Sequence, residues 1–107
     1  MTNLTVPQCV DLINTQENLV ILDVRTPEEN KYDGHIPQTK LIPLGKLMFS
    51  LDELDSFEDS PILVYCRRGS RSLQACEMLE DNGFTNVYNM VGGYSKWETE
   101  GANNYLK

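Results

Sequence analysis

The chain is poor in metal ligands, in basic residues and in long apolar runs. Histidine occurs once, at His35, and the three cysteines, Cys9, Cys66 and Cys76, form no Cys-x-x-Cys pair. Three scattered thiols and a single histidine lack the paired spacing of a structural zinc site, and an odd number of thiols is not a disulfide framework. Each cysteine is therefore read singly, as a core residue or a reactive thiol. Lysine and arginine total 9 against 16 aspartates and glutamates, a net charge of −7. Such a balance excludes broad binding to nucleic acid or to an anionic membrane, both of which need a basic face. No stretch approaches the roughly 18 apolar residues of a membrane span. Residues 1–7 have neither the basic region nor the apolar core of a secretion signal. A soluble, cytoplasmic protein is the expectation, and a monomer is the default. Repeats, linkers and composition breaks are also lacking. With 107 residues, 40% of them hydrophobic, one domain spanning 1–107 is expected, with a short tail from about 101. A core of that size needs no metal or disulfide staple.

What is present alternates between two kinds of pattern. Thr5 can cap a helix with Val6 and Pro7 in its first turn, and Val6, Cys9, Val10 and Ile13 follow at helical spacing. Leu19-Val20-Ile21-Leu22, ending at Asp23, reads as a strand covered on both faces, as in parallel sheets. Thr26-Pro27-Glu28-Glu29 carries a cap, a first-turn proline and two acids, the start of a short helix. Gly34-His35-Ile36-Pro37 is a turn, Lys40-Leu41-Ile42 a short strand and Pro43 to Phe49 a short helix. The acids Asp52, Glu53, Asp55, Glu58 and Asp59 read as a solvated loop or helix face. Pro61 opens the strand Ile62-Leu63-Val64-Tyr65. Residues 66–71 are then a loop, and a helix runs from about Ser70 to Asn82 with Leu73, Ala75, Cys76 and Leu79 on its buried side. Asn82-Gly83-Phe84 stops that helix. Val87 to Val91 is a further strand, Gly92-Gly93 a turn, and Tyr94 and Trp97 anchor a short docked helix. Strands alternating with helices define an α/β domain with a small, mainly parallel sheet flanked by helices on both faces. Ligands of such sheets sit beyond the carboxyl ends of the strands, where Cys66 falls.

Three of the nine basic residues, Arg67, Arg68 and Arg71, crowd the loop Cys66-Arg67-Arg68-Gly69-Ser70-Arg71. On an acidic protein this marks a small anion site rather than a polyanion groove. The thiolate, not the thiol, is the nucleophile, so a reactive cysteine needs positive potential. The arginines carry it. The start of the following helix adds free N–H groups and a positive dipole end. A tight turn at Gly69 can aim further N–H groups inward as an anion nest. These features lower the thiol pKa and stabilise a second sulfur carried on Cys66, a persulfide. Such chemistry needs no base, no metal and no organic cofactor.

The chain resembles the rhodanese family in its small, single-domain, thiosulfate sulfurtransferase-like form, from about Leu4 to Gly101. Four segments carry the resemblance in order: Asp23-Val24-Arg25-Thr26-Pro27-Glu28-Glu29; Gly34-His35-Ile36-Pro37 with Ile42-Pro43-Leu44; Cys66-Arg67-Arg68-Gly69-Ser70-Arg71-Ser72; and Gly92-Gly93-Tyr94-Ser95-Lys96-Trp97. It implies a rhodanese-like fold and a ping-pong sulfurtransferase. Cys66 would take a sulfane sulfur from a small anionic donor such as thiosulfate. It would pass the sulfur to a thiophilic acceptor: cyanide, a thiol or a protein. Arg67 or Arg71 would bind the donor, and the N–H groups of Arg68, Gly69, Ser70 and Arg71 would hold the persulfide. The chain departs from the family pattern outside the loop. Gln38-Thr39 stands where Gly-Ala is usual, Asn30-Lys31-Tyr32-Asp33 is one residue longer than common, and Ala102-Asn103 replaces a frequent Tyr-Pro.

Three rival readings stand beside this one. A cysteine-dependent phosphatase or arsenate reductase needs five residues between cysteine and arginine, and here Cys66 and Arg71 enclose four. A non-catalytic module of the same fold would have no use for the cysteine and its basic loop. A dedicated sulfur carrier shares every feature named. Among the remaining residues, Asp23 and Arg25 are expected to support the site from behind. The carboxylate would satisfy loop N–H groups, and the arginine would pair with Glu28 or Glu29. His35 is expected to be held structurally through a ring hydrogen bond. Cys9, Cys76, Tyr65, Met90, Tyr94 and Trp97 are expected in the core, and Tyr32 at the mouth of the site.

Overall fold

A computed structural model describes Met1–Lys107. Five strands, β1 (Thr2–Leu4), β2 (Val20–Asp23), β3 (Thr39–Leu41), β4 (Ile62–Tyr65) and β5 (Val87–Met90), form one sheet in the order β1-β5-β4-β2-β3. All four pairings are parallel. The helices are α1 (Val6–Thr15), α2 (Pro27–Tyr32), α3 (Leu44–Leu47), α4 (Ser70–Asp81) and α5 (Gly93–Thr99), with 3-10 turns at Leu51–Phe57 and Ala102–Tyr105.

The two helices read from their caps begin as predicted. Thr5 accepts from the Gln8 N–H and Gln8 answers with its side chain to the Thr5 N–H; Thr26 and Glu29 repeat the arrangement on α2. Each such capping box contributes on the order of 1 kcal/mol. All four residues of β4 are buried, and their alternation splits the core in two. Ile62 and Val64 face Leu47, Leu54, Ala75, Cys76 and Leu79 on one side of the sheet. Leu63 and Tyr65 face Cys9, Ile36, Met90, Tyr94 and Trp97 on the other. A strand with apolar side chains on both faces thus holds both layers together.

Connections from β2 run to one side of the sheet and those from β4 to the other. The carboxyl ends of these neighbouring strands, registered at Asp23 and Tyr65, therefore flank the place where strand order reverses. A crevice opens there in doubly wound sheets. Cys66 follows β4 and Arg25 follows β2 at this point.

Some expectations are corrected. Leu73 is 38% exposed, because the buried stripe of α4 runs through Ser72, Ala75, Cys76 and Leu79, one residue out of step with it. The stripe starts on a serine, so hydropathy misplaces it. The segment expected to be one helix from Pro43 to Phe49 ends at Leu47, and the acidic stretch that follows is largely a 3-10 helix anchored by buried Leu54. The edge strand β1 was not anticipated: it has three residues, none buried. Residues from 101 onward are docked rather than loose. The Trp97 indole donates to Asn103, and Asn14 bonds the Tyr105 carbonyl and the Lys107 N–H. Gln38 has φ 66, the left-handed region that favours glycine, which accounts for the glycine usual there in the family it resembles. No helix is long and apolar enough to cross a membrane.

Candidate active site

The backbone of residues 66–71 curls around the Cys66 sulfur. Gly69, at φ 112, turns the chain, and its N–H donates to Cys66 Sγ at 3.0 Å. The N–H groups of Arg68 and Ser72 face the same atom, and the thiol itself donates to Ser72 Oγ at 3.4 Å, a hydroxyl that can donate in return once the sulfur is ionised. Burial pushes the Cys66 thiol up, but these donors outweigh it and the thiol lies below its ordinary value. Cys9 and Cys76 have burial without such donors and are pushed up to about 12. One thiol of three is therefore prepared to ionise, and the other two are core residues as expected.

The loop is held from outside by α5. The Tyr94 and Ser95 N–H groups donate to the carbonyls of Cys66 and Arg67 at 2.8 and 3.0 Å. With those carbonyls drawn outward, the loop's N–H groups are left to face the sulfur. The contact requires Gly93: a Cβ there would stand 2.5 Å from the Arg67 carbonyl and 2.6 Å from that of Cys66, and its φ is +62. The Gly-Gly pair is thus a feature of the site as well as a turn.

The three arginines have different fates. Arg71 is gripped by both oxygens of Glu29, at 2.7 and 3.0 Å. Arg71 and Thr26 hold the Glu29 carboxyl down to about 2 against the effect of burial. Arg67 reaches Asp33 at 2.8 Å in a half-exposed pair. Arg68 is exposed and has no carboxylate partner. The N–H groups of Ser70 and Arg71, at the start of α4, have no acceptor within the protein and no bond to the sulfur.

Asp23 and Arg25 are both fully buried and pair with each other, Arg25 Nη2 to Asp23 Oδ2 at 2.8 Å. This corrects the expected pairing of Arg25 with Glu28 or Glu29, whose place by Glu29 is taken by Arg71. Nor does Asp23 satisfy the cysteine loop. It accepts from its own strand end, the Arg25 N–H, and from Asn30. Arg25 also donates to the Gly34 carbonyl at 2.7 Å and lies 4.5 Å over the Tyr94 ring and 5.4 Å from that of Tyr65. Two ring faces stand where its Nη1 lacks an acceptor. The pair braces the crevice wall and does not touch the sulfur. His35 bonds the Asn30 carbonyl through Nδ1, as expected, and Tyr32 is 75% exposed on α2. Four contributors escaped the sequence reading: Glu29 as the partner of Arg71, Asp33, Ser72 as a sulfur ligand, and Asn89 behind it. A glutamate in a capping box has a second carboxylate oxygen to offer, the only signal that was visible for any of them.

A thiol at a strand end, ringed by backbone donors at a helix start, defines a cysteine-based anion cradle on a doubly wound sheet. The Rhodanese-like domain family matches residues 5–100, and the chain belongs to this family. It is 33% identical over 97 residues to the thiosulfate sulfurtransferase GlpE of Pseudoalteromonas translucida, covering 90% of this chain and 88% of that one. It is 39% identical over 77 residues to the uncharacterized protein YqhL of Bacillus subtilis, a match covering 72% of this chain and 59% of the relative. Among solved structures, a rhodanese-like domain protein from Staphylococcus aureus superposes with a TM-score of 0.77 at 34% identity, covering 91% of each chain. A protein of unknown function from Rhodopseudomonas palustris, described as a possible tyrosine phosphatase, does so with 0.86 at 30% identity, covering 94% of this chain and 82% of that one.

Proposed function

We propose that this protein is a sulfurtransferase that carries a sulfane sulfur on Cys66. The observation that carries the reading is the set of donors around one sulfur, with Gly69 N–H at 3.0 Å and no general base bonded to it. The Cys66 thiolate attacks the outer sulfur of thiosulfate. The S–S bond of the donor breaks, sulfite leaves with the electron pair, and Cys66 holds a persulfide whose charge rests on the outer sulfur. An acceptor, a thiolate or cyanide, then attacks that outer sulfur and the Cys66 thiolate is restored. Charge is conserved in both steps, and no redox partner is needed. Similarity to the thiosulfate sulfurtransferase of Pseudoalteromonas translucida supports thiosulfate as donor.

Of the candidate donor-binding residues, Arg71 is committed to Glu29 by two hydrogen bonds. The donor's sulfonate end therefore falls to Arg68, which is free, and to Arg67, whose exposed pair with Asp33 is weak and readily exchanged. The free N–H groups of Ser70 and Arg71 add donors at the same end.

Intact mass after incubation with thiosulfate tests the reading. Wild type gains one sulfur atom, lost again on thiol reduction, and Cys66→Ser gains none. No gain with thiosulfate or with an alkyl persulfide, beside hydrolysis of an aryl phosphate, would sink the proposal in favour of a phosphatase.

A further inference from the structure

Behind the ring of donors, a line of polar side chains leads from the sulfur across the α4 face of the sheet to the edge strand β1. Ser72 Oγ lies 3.4 Å from Cys66 Sγ, 3.1 Å from the Gly69 carbonyl and 2.6 Å from Asn89 Oδ1. Asn89 Nδ2 donates to Asn3 Oδ1 at 3.0 Å. Ser72 is fully buried and Asn89 is 5% exposed. Asn3, its register partner on β1, faces solvent. Packing alone gives no reason to place an amide and a hydroxyl in this core, since each must find a partner there.

The Ser72 hydroxyl has one proton and three acceptors around it. With Cys66 as a thiol, S–H donates to Ser72 Oγ, and Ser72 donates onward to Asn89 Oδ1. When the thiol proton leaves to water, the Ser72 proton must turn toward the sulfur. Asn89 Oδ1 would then face an oxygen at 2.6 Å with no hydrogen between them. An amide has a donor and an acceptor of nearly equal shape, so rotation by half a turn removes the conflict. Asn89 Nδ2 then donates to Ser72 Oγ, Ser72 donates to Sγ, and Asn89 Oδ1 accepts from the Asn3 amide. Asn3 is free to turn in water.

We propose that Asn89 is a positioning residue for Cys66: its amide reverses with the state of the sulfur, so that the line Asn3–Asn89–Ser72 donates toward the thiolate and away from the thiol. Each donation strengthens the next in a dry site. The proposal deepens the sulfurtransferase reading and rests on Cys66 reacting as a thiolate, but its test needs no sulfur transfer. The charged and titratable groups around the loop are Arg67 with Asp33, Arg68, Arg71 with Glu29, the Asp23–Arg25 pair and Cys76. All are unaltered in the variants below.

The experiment is the rate of alkylation by iodoacetamide against pH, on the full chain, for wild type, Asn89→Leu and Ser72→Ala. All three thiols are buried, but burial pushes Cys9 and Cys76 up to about 12, so alkylation below that range reports Cys66, and Cys66→Ser supplies the background. Both variants should raise the midpoint by about 0.5–1 in pH, slowing alkylation below it roughly three- to tenfold. A lower midpoint in Asn89→Leu would mean that Asn89 is a fixed acceptor competing for the Ser72 proton. An unchanged midpoint with a lowered Tm would mean a structural role only. Either overturns the proposal. Should Asn89→Leu fail to fold, wild type still decides. The Asn89 side-chain amide resonances in nitrogen-15 spectra should move with the alkylation midpoint, and resonances that stay still overturn it. A raised midpoint in a protein that takes up no sulfur would retain Asn89's role and remove the sulfurtransferase reading instead.

Discussion

Two chain segments leave the sheet side by side, one after β2 and one after β4, and they treat charge in opposite ways. After β2, Asp23 and Arg25 are both inaccessible and are bonded to each other. After β4, backbone donors converge on a sulfur, and one arginine remains unpaired at the surface. The difference is which partner is supplied. A buried charge matched within its own segment becomes a brace. A site that surrounds an ionisable sulfur with backbone donors, with no guanidinium bonded directly to it, stays reactive. The presence of arginine does not decide between the two outcomes, whereas the carboxylate two residues from Arg25 does.

The sharpest way to break this comparison is to remove the central group of each side. Cys66→Ser should abolish sulfur uptake by intact mass and leave chemical denaturation close to wild type. Asp23→Asn should do the reverse. It strands a fully buried guanidinium, and the denaturation midpoint should fall by the equivalent of about 3–5 kcal/mol, while the folded fraction still takes up sulfur. If Asp23→Asn were stable and inactive, the brace would have to be counted as part of the chemistry.

Gly93→Ala comes next, because it attacks the hold of α5 on the loop. A methyl at 2.5 Å from a carbonyl and a left-handed φ together should cost on the order of 3 kcal/mol. Alkylation of Cys66 should slow as the loop opens, and a variant with wild-type stability and alkylation rate would contradict the contact.

Smaller effects sharpen the contrast between arginines. Glu29 is held at about 2 against an ordinary 4.5. Its stabilisation is thus complete above pH 4.5 and is lost as pH falls toward 2. Glu29→Gln should cost about 1 kcal/mol at neutral pH and flatten the acid limb of the stability curve between those values. Arg68→Ala should raise the KM for thiosulfate more than Arg67→Ala, with kcat little changed in either. Smallest of all, Gln38→Gly should stabilise by roughly 0.5–1 kcal/mol, since glycine enters the left-handed region without a Cβ clash. Thermal denaturation would show it.

The fold was legible wherever a local rule acted alone. Capping threonines announced α1 and α2, apolar runs announced β2 and β4, and Asn82-Gly83-Phe84 ended α4 as read. It was illegible where tertiary pairing decides. A three-residue exposed strand such as β1 carries no hydropathy signal, and its place beside β5 exists only in the assembled sheet. The position of the cysteine loop and the turn at Gly69 could be read because strand, glycine and helix start are consecutive in sequence. The pairing of Arg71 with Glu29 spans 42 residues and could not be. Leu73 misled because hydropathy was followed on a helix whose buried stripe begins at Ser72, a residue wanted inside for its hydroxyl.

The cradle around Cys66 is built of main-chain N–H groups, and every amino acid except proline has one. Positions 67, 68 and 70 can therefore exchange side chains without dismantling it, whereas Cys66, Gly69, Ser72 and Gly93 are bound by geometry. The scaffold separates what must stay from what is free to drift. A lineage, or an engineer, can rewrite the rim for a new sulfur donor in single steps, each passing through a protein that still holds its sulfur.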